Sequence, residues 1–86
     1  MQGGNGIRIS GTATPGGSIT INVGPSDDTV EIGIAGDSQA TSHLIPGNKD
    51  TSVPIPNAPP GTIIVVRIGR GKRLRRMLVT IVSPAP

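Results

Sequence analysis

"TIIVVRIGRGKRLRRMLVTIV" (62–82) decides the fold. It begins and ends with runs of β-branched and aliphatic residues, and between them stand Gly69 and Gly71. β-branched side chains are stiff at χ1 and pack well on a pleated surface. Glycine supplies the positive φ that tight turns need. Two such runs around a glycine-containing turn predict an antiparallel hairpin that reverses near Gly69–Gly71. Side chains alternate along a strand, so Ile64, Val66 and Ile68 share one face with Met77, Val79 and Ile81 across from them. That face belongs to a core. The other face carries Ile63, Val65, Arg67, Arg76, Leu78 and Thr80. A solvated sheet face should be polar, yet this one sets three aliphatics beside two arginines. Arg70, Lys72, Arg73 and Arg75 gather at or beside the tip.

The rest of the chain repeats the strand pattern. "IRIS" (7–10), "SITINV" (18–23), "TVEIGIA" (29–35) and "SVPIP" (52–56) alternate apolar and polar residues. Each places its Ile and Val on one face. "TPGG" (14–17), "GPSDD" (24–28), "IPGNKD" (45–50) and "PNAPPG" (56–61) have turn compositions. Gly and Pro recur too often for a helix of ordinary length. Pro54 and Pro56 lack a backbone donor, which puts 52–56 at a sheet edge or a switch between sheets. Residues 36–50 carry the weakest pattern, with room for one short strand around Leu44 and Ile45. Six to seven short antiparallel strands at close spacing make an all-β sandwich. The whole chain reads as one domain, 1–86, with a flexible arm at 1–6 and a tail at 84–86.

Composition narrows the chemistry. Among 86 residues there is no Phe, Tyr, Trp or Cys. The core must therefore be aliphatic and small, and no disulfide or thiolate metal site can form. The opening "MQGGNGIRIS" has neither the basic nor the apolar region of a secretory leader. No apolar run approaches the length of a membrane span, so a membrane is not expected as a partner. The net charge of +3 is unevenly spread. Residues 1–60 set Arg8 and Lys49 against Asp27, Asp28, Glu31, Asp37 and Asp50; residues 61–86 carry six cations and no acid. Such an imbalance concerns partners rather than fold.

Two stretches resemble a known family. "ISGTATPGGSITINV" (9–23) is similar to the opening of bacterial immunoglobulin-like domains: a Ser-Gly-Thr-Ala step, a Pro-Gly turn, then an alternating strand. "VPIPNAPPGTIIVVRIGRGKRLRRMLVTIVSP" (53–84) is similar to their closing half, where Pro-Gly-Thr leads into the penultimate strand. The resemblance spans most of the chain except 36–50. It implies a small immunoglobulin-like β-sandwich, without the cysteine pair, core Trp and corner Tyr of antibody domains. A short chain without a leader looks more like the accessory modules of tailed-phage capsids and tails than like repeats of secreted adhesins. The implied location is the virion, with synthesis in the host cytoplasm.

No catalytic constellation accompanies this frame. His43 is the sole histidine, and a general base or a metal centre needs partners that "TSHLIP" does not offer. It reads as a loop or edge residue. Asp27 and Asp28 in "GPSDDT" lack calcium-loop spacing and read as turn residues that bond nearby amides. "GRGKR" lacks the spacing and the helix of a phosphate loop. "GDSQA" is no nucleophile elbow. We expect no enzyme and no cofactor.

The basic hairpin is the feature above background. Edge protection needs one or two charges, whereas this segment has six within 67–76. The reading is a structural binding module, with Arg67, Arg70, Lys72, Arg73, Arg75 and Arg76 meeting partner carboxylates. Ile63, Val65 and Leu78 add an apolar contact. The expected partner is an acidic protein surface, such as a capsid or other virion protein, with homo-oligomerisation through the same face also open. Nucleic acid is the alternative, since cations neutralise phosphates. Against it, single-strand and RNA modules usually add stacking aromatics. A module of a secreted bacterial surface protein is a third reading.

Overall fold

The computed structural model describes residues 7–84, so the arm expected at 1–6 and the end of the tail at 85–86 lie outside the described residues. Among the described residues, seven strands form two sheets. β1 (Arg8–Ser10), β2 (Ser18–Asn22) and β5 (Thr51–Pro54) make a three-stranded sheet in the order β1-β2-β5. β3 (Asp28–Ile34), β4 (Ala40–Ile45), β6 (Ile63–Ile68) and β7 (Arg75–Thr80) make a four-stranded sheet in the order β4-β3-β6-β7. All pairings are antiparallel. The weakly patterned stretch 36–50 thus holds a full strand, β4, longer than the short one expected around Leu44 and Ile45. Exposure hides it in the sequence: of its six residues only Ile45 is fully buried.

The alternation does its expected work elsewhere. Ile19, Ile21 and Val53 from one sheet meet Val30, Ile32, Ile64, Val66 and Ile68 from the other in a continuous buried cluster with Ile45, Ile55 and Ile81. Every buried residue of this core is aliphatic or alanine. Ile7, Ile9, Ile34, Met77 and Val79 are partly buried around it. Pro54 closes β5, an edge strand, as its missing donor requires.

Beyond β5, Ile55 N–H donates to Gly17 O at 2.8 Å. Beyond β7, Ile81 N–H donates to Thr62 O and Val82 N–H to Ala13 O, each at 2.9 Å. The Val82 bond ties the segment following β1 to the end of β7, so the two sheets are stitched together as well as packed. The β2–β3 and β4–β5 loops are joined in the same way. Asp27 Oδ1 accepts from Gly47 N–H at 2.7 Å, and Gly24 O accepts from Asn48 N–H at 2.6 Å. This corrects the reading of Asp27 as bonding a nearby amide: its partner lies twenty residues away. Asp28 does bond locally, accepting from Thr29 N–H at 2.8 Å.

Candidate binding surface on the β6–β7 hairpin

β6 and β7 pair in the register Ile63↔Thr80, Ile64↔Val79, Val65↔Leu78, Val66↔Met77, Arg67↔Arg76 and Ile68↔Arg75. The inner face therefore carries Ile64, Val66 and Ile68, all fully buried. The outer face carries Ile63, Val65, Arg67, Arg76, Leu78 and Thr80, as the alternation requires. Leu78 is 66% exposed and Ile63 is 41% exposed; Val65 and Arg67 are half-buried and Arg76 is exposed.

The tip differs from the tight turn expected near Gly69–Gly71. Residues 69–74 form a longer loop with a 3-10 turn over Gly71–Arg73. Arg73 N–H bonds Arg70 O, and Leu74 N–H bonds Gly71 O, both at 3.2 Å. The cause is a pair of glycines at positive φ, 88° at Gly69 and 61° at Gly71, which curl the chain before β7 begins. Arg70, Lys72 and Arg73 are exposed on this loop. Arg75 falls opposite Ile68, on the strand face of inner parity, but beyond the core, and is exposed. The cations consequently surround the tip instead of lining one face.

Tertiary structure adds residues that sequence order conceals. On the outer face the next strand inward, β3, places Glu31 opposite Arg67. One row across the sheet thus reads Ser42, Glu31, Arg67, Arg76. A groove of about 310 Å³ opens beside it, lined by Thr29, Glu31, Arg67, Gly69, Arg70, Gly71 and Leu74. Leu74 is 43% exposed, so the groove has an apolar wall and a cationic one. Asp28 lies beside the start of the tip loop, where a side chain added at Gly69 would stand 3.7 Å from Asp28 Oδ2. Glu31 and Asp28 belong to the acidic half of the chain, and only the β3–β6 register reveals that they adjoin the basic half.

Two further carboxylates bond within the frame. Asp50 Oδ1 accepts from Asn22 Nδ2 at 2.9 Å, and Asp37 Oδ1 accepts from Gln39 N–H at 3.1 Å. His43 sits on edge strand β4 opposite Val30, half-buried, with Nε2 buried and without a hydrogen-bond partner among the described residues. Among the described residues no group of three or more His, Cys, Asp or Glu is placed to hold a metal ion. Among the described residues no helix is long and apolar enough to cross a membrane.

No protein-family model and no curated protein matches this chain. Among solved structures, it is similar to a computer-based redesign of a β-sandwich protein, with a TM-score of 0.56 over 92% of this chain and 93% of that one. The two are 17% identical in sequence. The chain is an all-β sandwich. At that identity the likeness concerns the fold alone.

Proposed function

We propose that this sandwich is a structural binding module that docks on an acidic protein surface through the β6–β7 hairpin. The observation that carries the reading is the joining, on one hairpin, of the six cations with an outward-facing aliphatic strip, exposed Ile63 and Leu78 with half-buried Val65 between them. Crowded like charges destabilise a free domain, and a partner's carboxylates relieve them. Arginine forks onto a carboxylate through two parallel N–H bonds. The adjoining aliphatics supply non-directional burial that charge alone lacks.

The finer assignment is an immunoglobulin-like virion accessory that decorates a capsid. Strand order supports its first half. In the immunoglobulin constant type, strands one, two, five and four form one sheet and three, six and seven the other. Here the same pairings hold, except that the fourth strand has moved from beside the fifth to beside the third. The capsid assignment rests on the sequence resemblance described above. A repeating acidic shell would also stabilise a domain with a thin core, because a ligand that binds only the folded form shifts the folding equilibrium.

The test is co-sedimentation with capsids of the phage that encodes the chain. Arg73 and Arg75 are exposed, so reversing both leaves the fold intact. For Arg73→Glu with Arg75→Glu we expect an unchanged circular dichroism spectrum and a loss of at least about a hundredfold in affinity, since each of two charge-assisted hydrogen bonds contributes about 1.5–3 kcal/mol. Equal binding by the double variant refutes the hairpin as the contact. A duplex-DNA complex that weakens steeply with salt, without capsid binding, would establish the nucleic-acid reading instead.

A further inference from the structure

A β-sandwich of two open sheets has four edge strands, and here they are β1, β5, β4 and β7. Each edge exposes unpaired backbone donors and acceptors, a template for another strand. Three of the four carry a device that blocks such pairing. β1 has only three residues and includes Arg8. β5 ends in Pro54. β7 carries Arg75 and Arg76. β4, "ATSHLI", carries none: it has six residues, no proline and no Lys, Arg, Asp or Glu. Its Leu44 is 72% exposed, the most exposed large aliphatic among the described residues.

We infer that β4 is a self-association edge, pairing antiparallel with β4 of a second copy of this chain to form a continuous eight-stranded sheet. The occupant follows from charge and symmetry. An uncharged strand meets no like charge when it faces its own copy, whereas a β7–β7 contact would join the two cationic hairpins directly and press Arg75 and Arg76 of each copy against the uncharged end of the other's strand. The basic hairpins lie at the opposite side of the sheet from β4, so the pairing also keeps them far apart. A two-fold contact closes on itself and leaves no unprotected edge over.

Face matching narrows the register, and full overlap of the two strands favours an axis near their middle. Residues directly opposite in a ladder point to the same side, so the two-fold axis must pass through a residue rather than between two. With the axis at Ser42, Leu44 meets Ala40 of the second copy twice over, and Thr41 meets His43. Leu44 is then covered on the same outer face as Glu31 and Arg67. Six residues a side make a small interface, so the dimer is weak and reversible. None of this depends on what the hairpin binds.

Sedimentation velocity of the full chain, from micromolar to millimolar concentration, tests it. We expect reversible dimerisation, weakened about tenfold or more by Ser42→Lys, which sets like charges opposite each other across the axis. Within its own chain that substitution stands beside Glu31, so the fold tolerates it. Because the chain has no cysteine, Ser42→Cys gives an independent reading. Opposed Cα atoms about 4.5–5.5 Å apart lie within disulfide reach. Mild oxidation should therefore cross-link Ser42→Cys and not Arg76→Cys. A wild-type chain that stays monomeric throughout overturns the inference. So does a dimer indifferent to Ser42→Lys, or one in which Arg76→Cys cross-links in place of Ser42→Cys.

Discussion

At the scale of single residues, stability rests on small side chains in tight places. Gly47 is the clearest case. A Cβ there would stand 2.6 Å from Pro25 O and 2.7 Å from Pro25 C, both backbone atoms that cannot swing away. The close approach lets Gly47 N–H reach Asp27 Oδ1 and fastens the β2–β3 loop to the β4–β5 loop. We expect Gly47→Ala to cost about 1–3 kcal/mol, the range for inserting a methyl group into a packed site. Urea unfolding would show it as a lower midpoint at constant slope. The core residues follow a different logic. Ile21, Ile64 and Ile81 are fully buried with no aromatic neighbour to spread the load, so each aliphatic side chain matters to the fold.

At the scale of elements, the hairpin is built against its own charges. Arg67 and Arg76 are directly opposite in the ladder, and like charges so placed are destabilising. Glu31 flanks Arg67 from the other side. Replacing Arg76 with Glu would convert the row to an alternation of acid, base and acid. We expect Arg76→Glu to stabilise the isolated domain by about 0.2–1 kcal/mol, read by urea denaturation, while weakening attachment to an acidic partner. An arginine that stabilises the free domain here would contradict the view that this surface is shaped for a partner. The same register explains what was legible in the hairpin. Period-two alternation alone sorts Ile64, Val66 and Ile68 from Ile63, Val65 and Leu78, because strand geometry leaves no other choice. The tip was not legible at that level, since two glycines at positive φ fit a two-residue turn and a longer loop with a 3-10 turn equally well.

At the scale of the whole molecule, the charge pattern should make stability depend on salt. Five of the six cations stand at the tip or in the first two residues of β7, close enough to repel within a Debye length. We expect Tm of the wild type to rise from low to physiological ionic strength. A relief of about 0.5 kcal/mol corresponds to a few degrees in a domain of this size. The Arg73→Glu, Arg75→Glu variant should show a smaller rise, and an equal rise in both would place the repulsion elsewhere.

By itself the sequence determined the class of this protein: strands rather than helices, an aliphatic core, and a hairpin with cations around its tip. Those properties follow from local periods, side-chain branching and glycine placement, all readable within a few residues. Only the tertiary structure decided which strands neighbour one another. It put β4 at an edge from a stretch whose exposed residues hide the pattern, sent the Asp27 carboxylate to an amide twenty residues away, and set Glu31 against Arg67. Each of these depends on contacts between distant segments, which burial and register select together and which no local pattern contains.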